Sequence, residues 1–340
     1  MSRVTRFGAG CIAELGAVCA EVGIARPLLV ATRRGAGGVS ALPVVGVFDG
    51  VLPHVPIESV TAAADAARAA TADGLVALGG GSAIDTAKAV VARLAAEPDG
   101  PVLRVVAIPT TYAGAEWTPY FGMLTAPGVK GGGSDERAAP VAALYDPELT
   151  LDLPLRDTVG TSMNALAHCA EAYYHPSSSR RAARHADTGA RAIAYALPLV
   201  VERPEGVYGR TRLLEGAMRA ALALAESGLC LGHAMAQGLG GRYGLPQGAM
   251  NAICLPAALR FNEAVAPAAI ARLGRALGGD APTRCRELAA LGGFSRLRDE
   301  GVPEHELPEV AAAIAARPGA RLNPRPAGAE EVEALLRSIW

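Results

Sequence analysis

Aromatic side chains are scarce in this sequence: phenylalanine, tyrosine and tryptophan together make up 4% of its 340 residues. Its core must therefore be packed from Ala, Gly, Val and Leu, which suits helices and parallel strands in close contact. Net charge is nearly absent at −1, and no basic stripe runs along the chain, so nucleic acid is not an expected partner. Arg33-Arg34 and Arg180-Arg181-Arg184 are small clusters of the kind found on solvated loops and helix faces. No stretch approaches the roughly 18 uninterrupted apolar residues that a membrane span requires. Met1 to Gly10 lacks an apolar segment, so no secretory signal is expected. The six cysteines, Cys11, Cys19, Cys169, Cys230, Cys254 and Cys285, form no Cys-x-x-Cys pair and read as buried free thiols. These absences together predict a soluble, cytoplasmic protein whose partner is a small molecule.

About half of the chain is apolar, 51%, and its length suits two domains. The first half alternates short apolar runs with helical spacing. Leu28–Ala31, Val44–Val47, Leu75–Leu78 and Val105–Ile108 read as strands. Ile84, Ala87, Val91 and Leu94 form one helical stripe. Strand, helix, strand predicts an α/β domain with a parallel sheet. After about Pro147 strand-like runs nearly vanish and Ala/Leu-rich helical patterns follow. The expected division is an α/β domain over 1–150 and an all-α domain over 151–340. The glycine-rich stretch Gly128–Ser134 reads as a loop or hairpin tip, and Val265–Ile314 as helices and loops with little chemistry.

The strand at Leu75–Leu78 ends in Gly79-Gly80-Gly81-Ser82 and opens a helix. Glycines let the backbone approach an oxyanion, and a helix N-terminus offers unpaired N–H groups and partial positive charge. Ser82 adds a hydroxyl donor or caps the helix. The turn is not the G-x-G-x-x-G fingerprint, and a tight capped turn would look the same. A second segment, Pro109–Glu116, follows the next strand and carries Thr110 and Thr111. Ligands of open α/β sheets bind at the carboxyl ends of strands, so the two loops are candidates to flank one site.

From these residues onward the sequence resembles the iron-containing alcohol dehydrogenases, and within them the maleylacetate reductases. The matching segments are Gly79–Ser82, Ile108–Gly114, Tyr145–Thr150, Met163–His168, Leu239–Gly241 and Asn323–Pro326, with Phe48–Gly50 and His54–Pro56 resembling the reductase subgroup. The resemblance spans nearly the whole chain. It implies a dinucleotide-binding α/β domain followed by a helical domain, with the active site in the cleft between them, and NADH or NADPH as hydride donor. It places the diphosphate on Gly79, Gly80, Gly81 and Ser82, with Thr110 and Thr111 near the cofactor. It also implies reduction of a small unsaturated or keto acid, and a possible homodimer.

Iron-binding members hold their metal with one Asp and three His. The positions matching those ligands are Asn164, His168, His233 and Gln247, and the histidine that the family places between the last two is Gln237. Two neutral amides and no anionic donor argue against tight iron or zinc binding. A protonated side chain must then do what a Lewis acid would do. His168 and His233 are the first candidates. Lys130 and Tyr112 complete the candidate catalytic set, and Asn164, Gln237, Gln247 and Arg325 are candidates for contact with substrate. The amide replacements also admit a repurposed, non-redox enzyme of a biosynthetic pathway, catalysing dehydration, cyclisation or isomerisation with the same histidines as acid or base.

Overall fold

The computed structural model describes residues 3–37, 42–98, 100–126 and 129–340. The chain divides into two compact units, Met1–Leu151 and Asp152–Trp340.

The first unit runs β1 (Val4–Phe7), α1 (Leu15–Glu21), β2 (Pro27–Ala31), α2 (Arg33–Gly37), β3 (Gly46–Phe48), α3 (Ile57–Ala69), β4 (Gly74–Gly79), α4 (Gly81–Ala95), β5 (Arg104–Pro109), β6 (Tyr120–Ala126), β7 (Val129–Ser134) and β8 (Ala142–Tyr145). Six strands form one sheet in the order β1-β8-β5-β4-β2-β3, and each neighbouring pair is parallel. Every residue of β2 and β4 is buried, as continuous apolar runs require when both faces of a sheet are covered. Alternation sorts them. Leu75 and Ala77 join one core cluster with Ile84, Val90 and Val60, while Val76 and Leu78 join the other with Leu15 and Val18.

Two details differ from the sequence reading. The strand expected at Val44–Val47 lies at Gly46–Phe48, because pairing with Leu28–Val30 sets its register, and Val47 is 53% exposed on this sheet edge. The stretch expected as a loop or hairpin tip at Gly128–Ser134 does belong to a hairpin, but from Val129 onward it is strand, pairing antiparallel with β6; Gly128 itself lies outside the described residues. Glycine discourages strands for want of a side chain to pack, but here the main-chain ladder with β6 supplies the order.

The second unit is helical: α5 (Leu155–Ala172), α6 (Arg180–Glu202), α7 (Val207–Ala225), α8 (Leu231–Tyr243), α9 (Gln247–Asn262), α10 (Pro267–Leu277), α11 (Ala281–Ala290), α12 (Leu307–Ala315), α13 (Pro318–Arg321) and α14 (Ala329–Ser338). Helix α5 is buried nearly all round, the mark of a helix at the centre of a bundle, and it packs against α6, α7 and α9. At the α5–α9 crossing the backbones touch. A Cβ on Gly248 would lie 2.5 Å from the Gly160 carbonyl carbon, so only glycine fits there. One turn further along each helix stand Asn164 and Asn251, and this close approach lets them meet. Among the described residues, no helix is long and apolar enough to cross a membrane.

Candidate functional site

In the first unit the two loops singled out in the sequence come together. The Thr110 N–H donates to the Gly79 carbonyl at 3.0 Å, so the turn after β5 is tied to the turn after β4. Gly79 has φ +146°, a conformation that side chains rarely adopt. A Cβ on Gly80 would lie 2.8 Å from Thr111 Cγ2. Helix α4 then begins at Gly81 with no side-chain cap. The Ala83 N–H donates to the Gly80 carbonyl at 3.1 Å, while the N–H groups of Gly81 and Ser82 come too early in the helix for an i−4 partner and lie beside the glycine turn. Such a cradle fits a diphosphate, whose oxygens accept from main-chain N–H groups and gain from the helix's partial positive end, an effect of about 0.3–1 kcal/mol for an exposed anion. Tyr112 is fully buried, and its hydroxyl donates to Thr150 Oγ1 at 3.2 Å.

In the second unit a polar cluster sits in the core. Asn164 and His168 lie one turn apart on α5, and His233 lies in the first turn of α8. The rings of His168 and His233 stack with centroids 4.7 Å apart and planes 9° from parallel. Both histidines are buried, with exposures of 5% and 2%. The Asn251 amide donates to Asn164 Oδ1 at 2.6 Å. That bond leaves the Asn164 amide nitrogen 3.4 Å from His168 Nε2. An amide nitrogen can only donate, so Nε2 accepts and the His168 proton belongs on Nδ1. Nδ1 of His168 has no hydrogen-bond partner among the described residues. Burial, and next the neighbouring His233 ring, push the His168 imidazole well below its ordinary range. His233 Nδ1 lies 2.7 Å from the carboxylate of Glu171, and its Nε2 has no partner among the described residues. The site thus combines a neutral imidazole offering an N–H with a second imidazole whose outer nitrogen is uncommitted.

The four positions that match family ligands do not form a good iron site. Two are amides, and Asn164 is engaged on both sides by Asn251 and His168. Among the described residues no group of three or more His, Cys, Asp or Glu side chains could hold a metal ion. Divalent iron favours imidazole, carboxylate and thiolate donors, and only two of the four positions supply one.

The remaining candidates fall in different surroundings. Arg325 pairs with Glu331 at 2.5 Å and lies 4.2 Å over the Phe261 ring. The Lys130 side chain lies outside the described residues. Gln247 opens α9, one turn before Asn251. Gln237, one turn past His233 on α8, accepts a long 3.5 Å contact from Arg317. Three residues that the sequence reading does not name touch these candidates: Glu171 bonds to His233, Asn251 to Asn164, and Arg317 reaches Gln237. Glu171 continues the polar stripe Asn164, His168, Glu171 on one face of an otherwise Ala-rich helix. Asn251 stands four residues after Gln247, the same signal on α9. Arg317 has no such local signature. It is half-buried, burial lowers its pKa, and no carboxylate among the described residues pairs with it.

The fold and the two sites define a class of dinucleotide-dependent enzyme, and comparison with known proteins gives its family. Residues 2–147 match the iron-containing alcohol dehydrogenase domain, and residues 158–340 match the C-terminal domain of the Fe-containing alcohol dehydrogenase family. The chain is 39% identical to maleylacetate reductase 2 of Cupriavidus pinatubonensis, covering 98% of this chain and 93% of that protein. It is 36% identical to the maleylacetate reductase of Sphingobium indicum over 97% of this chain and 93% of that one. The crystal structure of maleylacetate reductase from Agrobacterium tumefaciens superposes with a TM-score of 0.90 at 33% identity, covering all of this chain and 97% of that one. The chain belongs to the iron-containing alcohol dehydrogenase family, in its maleylacetate reductase branch. It is an NAD(P)-dependent oxidoreductase.

Proposed function

We propose that the enzyme reduces the carbon–carbon double bond of maleylacetate, or of a closely similar unsaturated keto diacid, with NADH or NADPH and without a metal. The observation that carries this reading is the stacked pair His168–His233. The rings stack 4.7 Å apart at positions where the family resemblance implies two metal ligands, and the other two implied positions hold amides. The dinucleotide is assigned to the first unit, with its diphosphate on Gly79, Gly80, Gly81 and Ser82 and with Thr110 and Thr111 beside it. When bound, the reduced nicotinamide supplies the hydride.

The chain's own task is to manage charge and a proton. As the double bond accepts the hydride, its π electrons pass to the conjugated ketone oxygen. The Nδ1–H of His168 donates to that oxygen, which is oxyanion stabilisation by a neutral imidazole. His233 then gives a proton to the adjacent carbon and the electron pair returns from the oxygen, so the product has gained one hydride and one proton. His233 is left neutral and takes up a proton from solvent before the next turnover. Arg317, a half-buried cation lacking a carboxylate partner among the described residues, suits one substrate carboxylate. Asn164, Gln237 and Gln247 are assigned to the polar lining of the substrate site. Tyr112 is given no part, because its hydroxyl is committed to Thr150.

The family resemblance favours a homodimer and the six buried free thiols suit the reducing cytoplasm; sedimentation of the purified protein tests the assembly. The reaction is tested by following NADH and NADPH absorbance on addition of maleylacetate. One cofactor oxidised per substrate consumed is expected. No oxidation of either cofactor at saturating substrate would refute the assignment.

A further inference from the structure

Glu171 is fully buried on α5, one turn after His168. Its carboxylate accepts three hydrogen bonds, all from the start of α8: the Cys230 N–H at 2.7 Å, the His233 N–H at 3.0 Å and His233 Nδ1 at 2.7 Å. A buried carboxylate persists only where such donors replace water. Gly232 leaves it room, since a Cβ there would lie 3.0 Å from Glu171 Oε1. The two main-chain bonds cap a helix that has no side-chain cap of its own and would suffice for a purely structural carboxylate. The third bond goes to an imidazole whose other nitrogen, Nε2, is buried and without a partner among the described residues.

We infer that Glu171 is a positioning residue. It holds the Nδ1–H of His233, and so fixes the tautomer and ring orientation that make Nε2 the nitrogen exchanging a proton with substrate. The inference rests on the reaction proposed above for what that substrate is, but not for which nitrogen carries the proton. A carboxylate accepts without donating, so it selects Nδ1–H whenever the ring is neutral. The amide introduced by Glu171→Gln could present either a donor or an acceptor to Nδ1, and the selection is lost. In a Ser–His–Asp site the corresponding amide substitution lowers kcat about 10⁴-fold by leaving the imidazole in the wrong tautomer.

The test uses the full-length protein labelled with ¹⁵N-histidine. Long-range ¹H–¹⁵N spectra report which ring nitrogens carry protons, and the His233 signals are assigned by their loss in His233→Gln. The expected wild-type result is a proton on Nδ1 of His233 in every state, with Nε2 bare whenever the ring is neutral. In Glu171→Gln the expected result is a mixed or reversed tautomer, a kcat lower by on the order of 10²-fold or more, and an unchanged Kd for NADH by fluorescence. A neutral wild-type His233 protonated at Nε2 and bare at Nδ1 overturns the inference, as does a folded Glu171→Gln enzyme with unchanged tautomer or unchanged kcat. If Glu171→Gln does not fold, the wild-type spectrum decides alone. Failure of maleylacetate turnover in the wild type would count against the proposed reaction and leave the nitrogen assignment to be judged by the spectrum.

Discussion

The imidazole of His168 lies flat against that of His233, with ring centroids 4.7 Å apart. Two unit charges at that separation would repel by about 3–4 kcal/mol at an effective dielectric constant of about 20, which disfavours a positive charge on both rings at once. Burial and this neighbour together hold the His168 pKa well below its usual value of 6.5. The sign of the linkage follows. Below about pH 6.5 the unfolded chain binds a proton at this residue that the native protein refuses, so stability falls as pH drops, by up to about 1.4 kcal/mol per pH unit. Urea midpoints measured near pH 7 and near pH 5 should show this loss, and His168→Gln should remove part of it. An unaltered pH dependence in that variant would contradict the assignment.

His233 is expected to be the more sensitive catalytic position. Replacing a general acid typically costs about 10²–10⁴-fold in rate. His233→Gln should therefore lower kcat by about that factor while leaving the Kd for NADH unchanged. Stopped-flow reduction of maleylacetate, alongside a fluorescence titration of cofactor, separates the two effects.

The glycine turn gives a prediction on stability and another on binding. Gly79 has φ +146°, and an added Cβ would lie 2.9 Å from the Ala83 methyl. Gly79→Ala should destabilise the fold by about 1–3 kcal/mol, the usual size of such backbone strain. Gly80→Val should push against Thr111 and intrude on the diphosphate, weakening cofactor binding by about tenfold or more. A thermal melt checks the first and fluorescence titration the second.

Arg317 is expected to contribute to substrate binding rather than to chemistry. Arg317→Met keeps much of the apolar stem and removes the guanidinium. A charge-assisted hydrogen bond contributes about 1.5–3 kcal/mol, so KM for the diacid should rise by about 10–100-fold with kcat changed little. If KM is unaffected, the carboxylate is held elsewhere.

Metal removal should be without consequence. Protein dialysed against a chelator is expected to keep full activity, and elemental analysis should find no stoichiometric iron or zinc. Loss of activity restored by added Fe²⁺ or Zn²⁺ would overturn the metal-free proposal.

Much of the fold is legible locally. The runs Leu28–Ala31, Leu75–Leu78 and Val105–Ile108 are strands because continuous apolar segments of that length, separated by helical stripes, have few other ways to bury both faces. The parallel sheet and the following helical unit follow on the same grounds. The edge strand β3 begins two residues later than its apolar run suggests, because backbone pairing fixes register and composition does not. The glycine-rich return strand β7 has the composition of a loop, and only its ladder with β6 makes it a strand. At the site, the turn after β4 and the spacing of Asn164 and His168 are visible as patterns on single elements.

The sequence by itself determined which side chains share a helix face or end a strand, because those relations repeat with the 3.6- and 2-residue periods of the backbone. It therefore determined the glycine turn after β4, the one-turn spacing of Asn164 and His168 on α5, and the amide side chains at Asn164 and Gln247. Only the tertiary structure decided the partners across the chain. Glu171 meets His233 at a separation of 62 residues, and Asn251 meets Asn164 at 87. No local period encodes such contacts. They exist because helices meet where small residues let them close, Gly160 against Gly248 for the asparagine pair and Gly232 beside Glu171 for the other, and that closeness depends on the packing of the whole unit.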